Sequence, residues 1–208
     1  MLNLLRKDFI ALRSSLWVIP FYLVVFSFAF IPQSEMSMYF VGIYTAFGSM
    51  ILATTIDIKN YNHNFLVTLP VSRKNIVQAK YLSAILYALF GVLASYGIHS
   101  LVNINYPELN KPDYSVMDIL ISLGMVLVLV SIYLPLFYAF SKKGAGIINM
   151  VFMIVLIIMA QPAAFLISKA GENGMGSASV YVFVSVCILL LFIASYFVTV
   201  RLFARKDL

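Results

Sequence analysis

Six stretches of this chain carry no charged residue and are filled almost continuously by apolar side chains: Leu16 to Ile31, Met38 to Ile56, Tyr81 to Val102, Ile119 to Phe140, Gly146 to Ile167 and Val180 to Val200. At about 1.5 Å per helical residue the shortest reaches roughly 24 Å, and the others approach or exceed the ~30 Å hydrocarbon core of a bilayer. Runs such as Val126 to Val130 and Val151 to Met159 are apolar at every position. A membrane barrel strand would alternate apolar and polar residues, so the pattern predicts helices and an all-α membrane protein with six transmembrane spans. Composition agrees. Of 208 residues, 62% are hydrophobic and 11% charged, against roughly 25% charged in a soluble domain. A single membrane domain over 1–208 is the expected organisation.

The charges between the runs set an orientation. Six crossings put Arg6, Lys7, Arg13, Lys59, Arg73, Lys74, Lys80, Lys142, Lys143, Arg201, Arg205 and Lys206 on one side, 12 of the 14 basic residues, and leave Lys111 and Lys169 on the other. By the positive-inside rule the N and C termini are expected in the cytoplasm. The net charge of +6 and the sequence pI of about 9.4 are thereby explained as a topology signal, and nucleic acid is not expected as a partner. Arg6, Lys7 and Arg13 ahead of an apolar run resemble a secretory signal, but no small-x-small cleavage site follows, so the run is expected to stay as the first span. Within residues 1–15, Leu2, Leu5, Phe9 and Leu12 share one helical face, which predicts an interfacial helix in the inner headgroup layer.

Several chemistries lack their residues. No span has Asp, Glu, Lys or Arg near its centre, and Asp57, Lys80, Asp118 and Arg201 are expected at membrane edges within reach of water. An ion-coupled carrier or voltage sensor needs such a group deeper. His99 reads as a partly solvated structural histidine. Ser95 and His99, four apart on one helix, have no third orienting residue and no nucleophile elbow, so no catalytic residue is assigned. His63 and His99 fall on opposite sides, so no metal site is expected. Gly171 and Gly176 have Walker spacing, but Ser177 stands where the phosphate-binding lysine belongs, and ATP hydrolysis on this chain is not expected. The lone Cys187 has no disulfide partner.

The segment from Asp57 to Lys80 is 24 residues long where a turn would suffice. Polar Asn60 to Asn64 leads into apolar Phe65 to Leu69, which predicts a short interfacial helix stopped by Pro70. Ser72 is placed to N-cap a helix running directly into the third span. Arg73 and Lys74 then occupy the first turn of that helix, an unfavourable position beside the positive end of the macrodipole, which an acidic partner or anionic lipid would offset.

The run Leu69-Pro70-Val71-Ser72-Arg73-Lys74, followed by Ile76-Val77 and Lys80-Tyr81-Leu82, resembles the pattern before the third span in permease subunits of ABC-2 type ABC transporters. Six spans, an N-terminal interfacial helix and short outer loops are also similar to that family. The resemblance implies a coupling helix around Asn62 to Leu69 that docks on a separate cytoplasmic ABC ATPase, with Asn62, Phe65, Leu66, Leu69, Pro70, Ser72, Arg73 and Lys74 as coupling residues. Asp57 stands where the family often has Glu. It further implies that ATP and Mg belong to the partner, that this chain holds no cofactor, and that a second permease copy completes the pathway, as a homodimer or a heterodimer. Size, motif and short outer loops look most like small bacterial exporters of amphipathic or antimicrobial peptides, such as phenol-soluble modulins, in the cell membrane. A membrane scaffold that recruits a cytoplasmic partner through the same segment without transport is the alternative.

Two small-residue series, Gly42, Ala46, Ser49 and Ala53 on the second span and Ala84, Ala88, Gly91 and Ser95 on the third, predict close helix packing inside the bundle. Pro20, Pro135 and Pro162 are expected to bend three spans. Trp17, Tyr39, Tyr81, Tyr106, Tyr114 and Tyr181 are placed like interfacial anchors. Residues that contact substrate are not assigned.

Overall fold

In the computed structural model the described residues are 2–60, 72–109, 111–140, 144–158 and 178–205. They form α1 (Leu2–Leu12), a 3-10 turn (Arg13–Ser15), α2 (Val18–Phe30), α3 (Ser37–Lys59), α4 (Arg73–Asn105), a second 3-10 turn (Pro107–Leu109), α5 (Val116–Ala139), α6 (Gly144–Ile158) and α7 (Ala178–Ala204). Among the described residues there is no strand, as the unbroken apolar runs require. Helices α3, α4, α5 and α7 are long and apolar enough to cross a membrane. The other two predicted spans are shorter here. Helix α2 has 13 residues, about 20 Å at the helical rise, and the described part of the fifth run ends at Ile158.

Helix α2 begins at Val18, so Pro20 lies in its first turn, where a helix has no main-chain acceptor for the missing N–H. The residue expected to bend a span instead sits in the first turn of one. Pro135, by contrast, is inside α5 and leaves the Ser131 carbonyl without its helical donor. The hydroxyl of Ser195 on α7 supplies one at 2.6 Å. Pro162 lies outside the described residues.

Helix α4 is the longest, with 33 residues. It begins eight residues before the apolar run because Ser72 caps it: the Ser72 backbone is extended and its hydroxyl accepts from the Asn75 N–H at 3.3 Å. At roughly 50 Å it exceeds a bilayer core, so its first turns project beyond one face. Helix α5 starts where the Asp118 carboxylate reaches back to the Ser115 N–H at 2.7 Å, one arm of a capping box.

The two small-residue series meet each other. A Cβ added to Gly91 would lie 2.6 Å from the Ala46 nitrogen and 2.8 Å from its Cα, so α3 and α4 touch backbone to backbone. Around this contact, α2, α5 and α1 pack on α3 and α4, and α7 packs on α5 and α4. Helix α3 is the centre of the bundle, with Met38, Val41, Phe47, Ser49 and Thr54 fully buried. The outward sides of α4, α6 and α7 expose Phe90, Leu101, Ile147, Met150, Phe183, Leu190 and Phe197, the surface expected against lipid tails.

Candidate functional site

Contacts between distant segments sort the chain ends. Lys80 near the start of α4 meets Asp57 in the last turn of α3 and Asp8 of α1; Arg73 meets the last carbonyls of α7; Tyr138 at the end of α5 packs on Phe203 with ring centroids 5.0 Å apart. These elements form one end of the bundle. Ser37, His99, Tyr114 and Asp118 form the other. Helices α3, α5 and α7 therefore run toward the first end and α4 runs away from it, and most of the described basic residues gather at the end that carries both termini.

At that end lies a buried ion cluster. The Lys80 ammonium contacts the Asp57 carboxylate directly and lies 3.6 Å from Asp8 Oδ2, while Asp8 Oδ1 is 3.3 Å from Lys7. The Ser83 hydroxyl donates to Asp8 Oδ2 at 3.3 Å. Asp57 is 6% exposed and Lys80 4%, so the sequence expectation that both reach water is corrected. Their hydrophobic surroundings, Leu4, Ile76, Ala79 and the Tyr138 ring, close off the polar heads. Mutual pairing allows the charges to stay buried, since an isolated ion would be too costly to desolvate. The sequence signal for this cluster was slight: an acid, Asp8, within an otherwise basic flank.

Helix α1 presents Leu4, Asp8 and Leu12 to the bundle, with Asp8 and Leu12 buried and Leu4 packed at the edge of the core. This face shares Leu12 with the apolar stripe that predicted an interfacial helix and adds Asp8, whose carboxylate lies 3.6 Å from Lys80. Ile10 remains 59% exposed.

Of the predicted coupling residues, Asn62, Phe65, Leu66, Leu69 and Pro70 lie outside the described residues. Ser72, Arg73 and Lys74 are placed. The Arg73 guanidinium donates to the Phe203 carbonyl at 3.0 Å and the Ala204 carbonyl at 2.9 Å, and lies over the Phe203 ring. Its unfavourable place at the N-terminus of α4 is thus offset within the chain by the negative end of α7. Lys74 points to the outside of the bundle and is exposed.

Close to the ion cluster, neutral polar groups tie helices to one another. The Tyr133 hydroxyl donates to Asn149 Oδ1 at 2.7 Å and meets the Thr54 hydroxyl, and Asn149 Nδ2 donates to Thr55 Oγ1 at 3.0 Å. The Tyr81 hydroxyl meets Ser195 at 2.6 Å and Thr199 at 2.8 Å. Tyr81 and Tyr39 are therefore core residues rather than interfacial anchors, Tyr39 donating to Asp118. Trp17 and Tyr106 are exposed as anchors should be.

At the far end His99 is buried, 1% exposed, rather than partly solvated. Its Nδ1 donates to the Ser95 carbonyl at 2.8 Å, so Nε2 accepts from the Ser37 hydroxyl at 2.8 Å. The Ser95 hydroxyl donates to the Met38 carbonyl at 2.8 Å. Ser95 and His99 are thus engaged structurally and not with each other's side chain. The Tyr114 hydroxyl donates to the Glu35 carbonyl, and burial holds that phenol above its ordinary pKa. Among the described residues no group of acids, His and Cys could hold a metal ion.

Four helices long and apolar enough to cross a bilayer mark a multi-pass membrane protein. Residues 3–204 match the family model described as ABC-2 family transporter protein, and the chain belongs to that family. Its members are membrane transport components, not themselves catalytic, and usually work with a cytoplasmic ATPase. No curated protein and no solved structure matches the chain.

Proposed function

We propose that this chain is the membrane permease subunit of an ABC exporter that moves amphipathic peptides and is driven by a separate cytoplasmic ATPase. The observation that carries the reading is the burial of both ends of the 57–80 segment in one ion cluster, within a chain of the ABC-2 family. A segment anchored at its base and held between two long helices is suited to receive a push from a soluble partner. In this reading all six apolar runs cross the membrane, both termini are cytoplasmic, and Asn62, Phe65, Leu66, Leu69 and Pro70 meet the ATPase. Ser72 starts the helix that takes up the motion, Arg73 braces it against α7, and Lys74 faces the partner. ATP and Mg stay with the ATPase. A second copy of the chain completes the pathway.

The polarity of the spanning runs supports the peptide reading. The interhelical polar groups at Tyr81 and Tyr133 are hydroxyls and an amide bonded to one another, and no spanning run has a central charge. A small charged solute would lose its hydration without a counter-charge, which is costly. An amphipathic peptide can slide its apolar face along Phe and Met while its polar face stays near headgroups.

The experiment is co-purification with a candidate ATPase, followed by ATP-driven uptake of a labelled amphipathic helical peptide into inverted vesicles. Phe65→Asp with Leu66→Asp should abolish ATPase binding and uptake while the protein stays folded. Normal binding by that double variant removes the coupling assignment. Transport of only small hydrophilic solutes removes the peptide reading.

A further inference from the structure

The ion cluster joins three chain segments that are far apart in sequence: α1 through Asp8, the last turn of α3 through Asp57, and the second turn of α4 through Lys80. Residues 60–72 connect the second and third of these. We infer that Asp8, Lys80 and Asp57 form a positioning cluster that ties α1 to the last turn of α3 and the second turn of α4, so that displacement of these helix ends moves α1 with them; this rests on the permease reading above.

Three features support the inference. The first is stoichiometry, two carboxylates around one buried ammonium. Asp57 is in direct contact, whereas Asp8 is at 3.6 Å and shares its other oxygen with Lys7. Lys80 therefore bridges carboxylates on two different helices, and neither α1 nor α3 can shift alone without pulling one of them away from the buried ammonium. The second is cost: burying ions stabilises a fold little compared with apolar side chains of the same size, so such a cluster fits a role in fixing one arrangement of helices. The third is leverage. Helix α1 touches the bundle on α3 and α4, the two helices that flank the segment, and its buried polar contact among the described residues is Asp8. Without the Asp8 contact, Leu4 and Leu12 would hold α1 by apolar packing alone, which resists sliding poorly.

The test uses full-length Cys187→Ser protein in lipid nanodiscs, with spin labels at the exposed positions Ile10 and Leu101. The intact cluster should give one narrow distance distribution. Lys80→Met should broaden it, and Lys80→Arg should restore it, since the charge and both carboxylate contacts remain. In complex with the ATPase, Lys80→Met should keep ATPase binding and basal ATP hydrolysis while peptide uptake falls about tenfold or more, a typical size for lost coupling between sites; Lys80→Arg should transport near the wild-type rate. If Lys80→Met does not yield folded protein, Asp8→Asn takes its place, because it leaves the Lys80 pair with Asp57 intact. A neutralised variant that keeps the narrow distance, or that transports at the wild-type rate, overturns the inference. A complex that transports nothing even with the intact cluster overturns the permease reading instead, and the distance measurement then still decides whether the cluster holds α1.

Discussion

The Ser195 hydroxyl lies 2.6 Å from the Ser131 carbonyl, the acceptor that Pro135 leaves without a partner inside α5. The same hydroxyl meets Tyr81 of α4, so one break in a helix ladder becomes the junction of three helices. Away from water an unsatisfied carbonyl is expensive, and the junction removes that cost.

Ser195→Ala should therefore lower stability by about 1–2 kcal/mol, the usual penalty for a buried group left without its bond. Pro135→Ala restores an N–H for Ser131, so the double variant Ser195→Ala with Pro135→Ala should recover part of the loss. Thermal melting of detergent-solubilised protein, followed by size exclusion, measures both. Equal melting of Ser195→Ala and wild type would remove the junction as a stabilising feature.

Gly91 and Gly97 lie on the same helix and should respond oppositely. A methyl at Gly91 would overlap the Ala46 backbone, whereas nothing lies within 4 Å of a Cβ at Gly97. Gly91→Ala should cost about 1–3 kcal/mol through forced separation of α3 and α4. Gly97→Ala should be neutral or slightly stabilising. The same melting assay compares them, and a harmless Gly91→Ala would mean that the two helices are not in backbone contact.

Arg73 and Lys74 are adjacent but engaged differently. Arg73→Gln loses two carbonyl acceptors on α7 and the Phe203 ring, and should destabilise by about 1 kcal/mol given its partial exposure. Lys74→Gln should leave stability unchanged and weaken only binding of the ATPase. Melting and pull-down, run on both variants, separate the two effects; the opposite pattern would reverse their assignments.

Orientation follows from the 12 to 2 division of basic residues. In Cys187→Ser protein, cysteines at Asn110 and Asn173 should react with an impermeant thiol reagent added to intact cells, and one at Asn62 should not. Labelling at Asn62 would overturn the six-span topology.

The helical class and the approximate ends of the long spans were legible in the sequence because each is a local or additive property. A hydrophobic run long enough to cross a bilayer has no other stable place, and Ser72 caps α4 through a bond three residues away. The two small-residue series likewise announced close packing, since Gly and Ala remove the atoms that keep helices apart. What only the tertiary structure decided is which distant groups meet. Asp57 and Lys80 read as edge charges because sequence shows how far each lies from a run's end, not that the other and Asp8 arrive beside it. Tyr39 and Tyr81 read as interfacial anchors for the same reason, and Arg73 read as needing an outside anion until the end of α7, 130 residues later, supplied the carbonyls. In a membrane a polar group's role depends on whether a partner reaches it before water does, and that partner is chosen by the packing of helices whose order along the chain leaves it open.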